Sequence, residues 1–161
     1  MKRLALLLPL AACHQTQPQP AAATPGSRLE AAARARGLVS DPAASSPVGS
    51  WANDSDRLCV APAAGSLRFG VSVDYGDGQR CGASGNAERR GDRLRISFGD
   101  CRFEARFEGD RIGFPAELPA ACDRYCTGRA SLTALTVERL SGAASEAQAV
   151  RGADGHLLCG G

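Results

Sequence analysis

The stretch LRISFGDCRFEARFE, residues 94–108, decides the fold class. Apolar and polar side chains alternate along it on both sides of the pair Gly99-Asp100. A two-residue period is typical of a strand with one buried and one solvated face, and a Gly/Asp pair between two such runs is typical of a tight turn. The stretch therefore predicts an antiparallel hairpin whose inward positions are Leu94, Ile96, Phe98, Cys101, Phe103, Ala105 and Phe107.

The same alternation extends to both sides of this hairpin. It is clearest in residues 67–75, and turn residues separate the further strands predicted at Gly49–Asn53, Arg57–Pro62, Arg80–Arg89, Asp110–Phe114 and His156–Cys159. Consecutive strands joined by tight turns form an antiparallel meander, and a meander with one apolar face must close on itself or be covered. The sequence predicts a mainly β domain built as a small barrel or a strongly curved sheet, with Trp51 as a core anchor.

Residues 130–150 predict a strand followed by one short helix. The apolar positions Leu132, Leu135 and Val137 favour the strand. Small residues after Ser141-Gly142 favour the start of a helix. A helix of this length is expected to cover one end of the barrel.

The first thirteen residues, MKRLALLLPLAAC, have the organisation of an export signal. Lys2 and Arg3 precede the apolar run Leu4–Leu10, which ends in two alanines. The run is too short to cross a bilayer, which takes about 20 apolar residues. Leu10-Ala11-Ala12-Cys13 resembles the lipobox of bacterial lipoproteins, which implies that residues 1–12 are removed and that Cys13 carries a covalent lipid. The alternative is an ordinary secretory signal with Cys13 merely nearby.

The resemblance to lipoproteins also implies a location. The domain would be anchored in the cell envelope and face the periplasm. His14 follows the lipid-bearing cysteine. In the sorting pattern of enteric bacteria, an aspartate there would retain the protein at the inner membrane. Histidine therefore favours the outer membrane.

The cysteine count agrees with a lipid on Cys13. The chain has seven cysteines, so assigning one to lipid leaves six for three disulfides, as expected in an oxidising compartment. Cys81 and Cys101 lie on apolar phases and can pair with each other or with a neighbouring strand, while Cys122 and Cys126 bracket a short loop. That would leave Cys59 with Cys159, tying the first and last strands together.

Residues 13–47 are predicted to be a lipidated, flexible tether. They are rich in Ala, Pro and Gln and contain no aromatic residue, so they cannot bury enough apolar surface to fold alone. Within them, Ser27 as a cap and Gly37 as a stop predict a short helix with too little apolar surface to dock. All eight aromatic residues lie between Trp51 and Tyr125, so the disulfide-bonded β domain is assigned to residues 48–161.

Charge and residue usage exclude several functions. The 19 basic residues include Lys2 and Arg3, whose removal leaves a balance with the 17 acidic ones. No basic excess remains for binding nucleic acid, which is not an expected partner. Lys2 is also the only lysine, so the mature chain cannot use a Schiff base or a P-loop lysine. No cofactor is expected beyond the lipid on Cys13.

For each residue that could act in catalysis or bind a metal, a structural role is preferred to a functional one. A zinc site of His156, Cys159, Cys122 and Cys126 can be drawn, but disulfides would consume its thiolates, so no metal site is predicted. A Ser–His–Asp site built on His156 and a distant serine stays open. The carboxylates that could serve a glycosidase or calcium site lie mostly at turns, as in Asn53–Asp56. Because no catalytic constellation stands out, the protein is not expected to be an enzyme.

Two surfaces are candidates for contact. Arg93, Arg95, Arg102 and Arg106, with Arg68, lie on the polar phases of strands predicted to be neighbours. They are either cross-strand partners of Glu104 and Glu108 or a face for an anionic ligand or protein.

The second candidate is the loop FPAELPAACDRY, residues 114–125, with Phe114, Leu118 and Tyr125 as contact residues.

These observations leave three functional classes for the protein. The first is a lipid-tethered binding module, which in architecture resembles periplasmic inhibitors of lysozyme and metalloproteases. The second is a structural or assembly accessory of an envelope complex. The third, a hydrolytic enzyme, ranks last.

Overall fold

The computed structural model describes residues 24–38 and 41–160, so the predicted export signal and Cys13 lie outside the described residues. Each strand pairs antiparallel with the next in sequence, and the last pairs with the first, which closes a barrel of eight strands. The mainly β barrel is confirmed. Its strands are β1 Gly49–Asn53, β2 Asp56–Ala63, β3 Ser66–Asp74, β4 Arg80–Arg90, β5 Arg93–Phe98, β6 Cys101–Phe107, β7 Arg111–Gly113 and β8 Thr136–Ser141.

The barrel also has helical segments outside the strands. Helix α1 spans Pro25–Ala35 and none of its residues is buried. It begins two residues before the predicted cap, because the Thr24 hydroxyl accepts from the Ser27 amide and Pro25 occupies the first turn. Helix α2 spans Ala144–Ala149 after β8, so the predicted strand-then-helix order is confirmed. No helix among the described residues is long and apolar enough to cross a membrane.

Side chains of the barrel itself occupy its interior. One continuous cluster of buried residues runs from Trp51 to Val137, and Trp51 is fully buried as a core anchor. Its ring meets the Phe107 ring edge-on with centroids 6.1 Å apart. An eight-stranded barrel is just wide enough for side chains to fill it. The interior is therefore a packed core.

One end of the barrel is closed by residues 42–48, which the sequence analysis placed mostly in the tether. The Arg89 guanidinium donates to the carbonyls of Pro42 and Ser45 and lies 5.1 Å above the Phe107 ring. Arg139 donates to the carbonyls of Ser46 at 2.6 Å, Val48 at 3.0 Å and Gly109 at 2.7 Å. This segment is part of the packed domain.

The opposite end is closed by the long connection between β7 and β8, which contains a 3-10 turn at Ala120–Tyr125. Two disulfides hold it, Cys101–Cys122 and Cys81–Cys126. The expected pairing of Cys81 with Cys101 or a neighbouring strand is wrong. Both cysteines are buried at strand ends on the side that this connection covers, so each reaches a cysteine of the connection.

The C-terminal segment lies on the outer wall. Cys59–Cys159 is the disulfide expected from the sequence, and a second buried cluster forms around it from Cys59, Ala61, Ala147, Leu158 and Cys159. Helix α2 therefore packs beside β1 and β2 and does not cover a barrel end. The predicted strand His156–Cys159 is also wrong, since only a single bridge joins Arg151 to Leu157. The apolar residues there pack on the outside of β2.

Candidate functional site

The outer wall of the barrel is covered on one side and open on the other. Over β2 and β3, α2 and the C-terminal segment bury Cys59, Ala61 and Ser72, which all point outward. On β4, β5 and β6 the outward residues face solvent, and we call the outer face of 86–90, 93–97 and 102–106 the open wall. All four arginines of the predicted binding face lie there, at Arg93, Arg95, Arg102 and Arg106.

Three of these arginines have acidic partners. Arg93 lies opposite Arg106, a repulsive placement that Asp92 offsets at 3.9 Å from Arg93. Glu108 lies 2.9 Å from Arg106, and Arg95 pairs across the strands with Glu104 at 3.6 Å. The groups are about half exposed, so each pair contributes about 0–1 kcal/mol. The cross-strand pairing expected from the sequence is thus seen for Arg95 and Glu104, whereas Arg93 and Arg106 pair with carboxylates one and two residues away in the chain.

Arg102 differs from the other three. Pairing across the strands places it in one line with Ser97 on β5, Asn86 on β4 and Arg68 on β3. Within the described ranges neither Arg68 nor Arg102 pairs with a carboxylate. We call these four residues the unpaired row.

A shallow groove lies over the centre of the unpaired row. Its lining includes Ser66, Asn86, Arg95, Ser97 and Arg102. The sequence analysis named the arginines but missed Asn86 and Ser97, because the run CGASGNAERR in β4 alternates too weakly to fix its register. The groove forms over Asn86 and Ser97 because their side chains are shorter than those of the arginines beside them.

The predicted contact loop turns its apolar residues inward, so Phe114, Leu118 and Tyr125 pack on the core instead of projecting as contact residues. Phe114 is 7% exposed and its ring centroid lies 4.8 Å from that of Phe103. Leu118 and Tyr125 are partly buried against the same core, and the Tyr125 hydroxyl donates to the Phe98 carbonyl. These residues close the end of the barrel. Burial of their apolar surface there stabilises the fold, because that surface is removed from water.

His156 lies beside a cleft that contains two serines, but these serines have structural partners. The Ser72 hydroxyl accepts from the Ala153 amide at 3.0 Å, and the Ser84 hydroxyl donates to the Leu158 carbonyl at 2.8 Å. Both serines thereby hold the C-terminal segment on the wall. In the part of the chain that the structure describes, no hydrogen bond joins the exposed His156 ring to a serine or a carboxylate. The arrangement supplies no assembled nucleophile.

The cysteines and carboxylates that could bind a metal are the next candidates for a site. Six cysteines are joined in disulfides, including all three cysteines of the zinc site considered from the sequence. No group of three His, Cys, Asp or Glu side chains suited to a metal occurs among the described residues. Burial raises the pKa of the Asp56 carboxyl, and the nearby Asp54 and Asp74 charges raise it further. One oxygen of Asp56 is buried without a partner in the described structure, but the residue lies at the β1–β2 turn, apart from the open wall.

No protein-family model matches the chain, and no curated protein or solved structure shows significant similarity to it.

Proposed function

We propose that the protein is a lipid-tethered binding module of the cell envelope that contacts a protein partner with its open wall. The observation that carries this proposal is the distribution of accessible surface. The interior is a packed core, and α2 with the C-terminal segment covers the wall over β2 and β3. The open wall is left exposed and carries arginine, a residue enriched in interfaces.

The lipid anchor in this proposal comes from the lipobox resemblance at Cys13, and with it the periplasm-facing location. The membrane is then the first partner, through the lipid, and an envelope protein is the second. An inhibitor that inserts a loop into its target would need an exposed apolar tip. The loop 114–125 packs Phe114 and Tyr125 against the core, so we place the contact on the open wall.

Site-specific photocrosslinking in intact cells tests the proposal. A benzophenone amino acid replaces Glu104, which is on the open wall, or Ala116, which is exposed in the loop 114–125. Gln148, exposed on α2, is the matched control for random collisions. We expect a discrete protein adduct from position 104 alone. Adducts from position 116 alone, or none above the control at position 104, would contradict the proposal.

A further inference from the structure

We infer that the cleft beside His156 binds a neutral saccharide. The cleft has a volume of about 290 Å³ and lies along the outer side of β4 residues 80–84. Its floor includes Gly82 and Ser84, and its sides are the C-terminal segment 152–158 and the residues Tyr125 and Thr127. We call it the β4 cleft. It lies outside the open wall, so this inference goes beyond the proposed function and does not depend on it.

Gly82 is a glycine that the fold itself does not require. Its φ is not positive, and a Cβ built on it would meet nothing within 4 Å. The other glycines of β3 and β4 differ, since a Cβ at Gly70 would lie 2.6 Å from the Leu158 carbonyl oxygen and one at Gly85 would overlap the Ser97 carbonyl. A glycine inside a strand weakens the strand and often marks a place that a ligand approaches closely. Gly82 thus keeps the middle of the cleft floor open.

Polar groups of the lining have hydrogen-bonding capacity that the fold leaves unused. Ser72 is 4% exposed and its hydroxyl accepts from the Ala153 amide, while no acceptor for its own proton occurs among the described residues. The Ser84 hydroxyl donates to a backbone carbonyl at 2.8 Å and can still accept. In the part of the chain that the structure describes, the Arg80 guanidinium and one Asp154 oxygen make no hydrogen bond or ion pair. The cleft therefore presents both donors and acceptors.

A sugar matches this combination of groups. Each sugar hydroxyl donates one hydrogen bond and accepts others, so it can pair with donors such as Arg80 and Ser72 and with acceptors such as Asp154. The C–H groups of a sugar ring need apolar contact, which the lining provides through Tyr125 and Leu157. Leu157 is 43% exposed, an unusual degree for a leucine that could pack on the barrel.

An anion and a peptide strand fit the β4 cleft less well. Apart from the His156 ring, its lining has one positive and one negative side chain, Arg80 and Asp154, so it has no excess charge to hold an anion. A peptide could extend the sheet only along a free edge of β4. At the cleft the Thr127 amide already donates to the Arg80 carbonyl at 2.8 Å and occupies part of that edge.

Saturation-transfer difference NMR tests the ligand class. The mature protein is purified in a neutral detergent without a sugar headgroup. The saccharide probes are cellotriose and tri-N-acetylchitotriose, and the comparison probes are citrate and the zwitterionic peptide trialanine. We expect saturable transfer to at least one of the two saccharides. Transfer to citrate or trialanine alone, or to none of the four probes, would overturn the inference.

A valine at position 82 tests where the saccharide binds. Valine favours a strand, and its side chain would fill the cleft floor. Binding in Gly82→Val should therefore fall by about tenfold or more, while the midpoint of thermal unfolding stays the same or rises. Gly113→Val changes an outward glycine of β7 away from the cleft and should leave binding within about twofold. Unchanged binding in Gly82→Val, or equal losses in both variants, would overturn the inference.

Charge-removing exchanges test the polar contacts. Arg80→Gln removes a guanidinium without a partner in the described structure, and Asp154→Asn keeps an acceptor for the His156 amide. Each should weaken saccharide binding about tenfold, as expected for a lost hydrogen bond to a charged group. Arg28→Gln and Asp92→Asn make the same exchanges away from the cleft and should stay within about twofold. If neither cleft variant weakens binding more than these controls, the inference is wrong. The crosslink from position 104 reports on the open wall, so the two proposals can fail separately.

Discussion

Arg139 joins three backbone carbonyls at one end of the barrel. It follows Val137 on the inward phase of β8, and its guanidinium lies 4.1 Å above the Trp51 ring. Burial lowers the pKa of this guanidinium, but an arginine still stays charged at any physiological pH. The nearby Asp110 carboxylate opposes this lowering of the pKa, and the guanidinium donates to backbone carbonyls at the rim of the barrel.

Replacing Arg139 should therefore loosen this end. We expect Arg139→Ala to lower the free energy of unfolding by about 2–4 kcal/mol, from lost charge-assisted hydrogen bonds and the contact with Trp51. Urea denaturation followed by Trp51 fluorescence measures the change. Arg129→Ala, an exposed arginine of the β7–β8 connection, is the control and should change stability by less than about 0.5 kcal/mol. A cost for Arg139→Ala no larger than the control's would refute this role.

At the residue scale the sequence could not reveal Arg139 or Arg89. An arginine on the apolar phase of a strand only interrupts the alternation, and its partners are carbonyls of a segment that composition assigns to the tether. Arg102 was found from the sequence because it alternates with Cys101 and Phe103. Its lack of a partner depends on cross-strand register, which the alternation alone does not determine.

At the element scale, the predicted strands from Gly49 to Phe114 correspond to β1–β7, because alternation and turn residues act locally. The C-terminal segment was misassigned for a non-local reason. Leu158 and Cys159 are apolar because they pack on the outside of β2, and an outer layer gives the same pattern as a strand. The loop 114–125 was misjudged for a related reason, since its apolar residues complete the core rather than project from it.

Two outward-facing strand glycines test how the C-terminal segment is held. A Cβ added at Gly70 would lie 2.6 Å from the Leu158 carbonyl oxygen, whereas one at Gly82 would meet nothing within 4 Å. We expect Gly70→Ala to cost about 1–3 kcal/mol as an overpacked site and to speed amide exchange in residues 150–159. Gly82→Ala should leave both quantities unchanged or slightly improved. Similar exchange rates in the two variants would contradict the packing described here.

At the scale of the whole molecule, three coverings of the barrel are seen among the described residues. Residues 42–48 close one end, the β7–β8 connection closes the other, and the C-terminal segment covers part of the wall. The open wall remains between them. The chain enters the barrel at the end closed by 42–48, and in the proposed function the open wall at the side of the barrel is the surface that an envelope protein contacts.

In the proposed function a lipid anchor on Cys13 places this wall in the envelope, and the intact mass of the mature protein tests that anchor most directly. The account predicts a chain that begins at Cys13 and carries the added mass of a diacylglyceryl group, with the protein in the membrane fraction. Cys13→Ala should abolish the added mass and release the protein from that fraction. A mature chain whose mass is that of its amino acids alone would contradict the account.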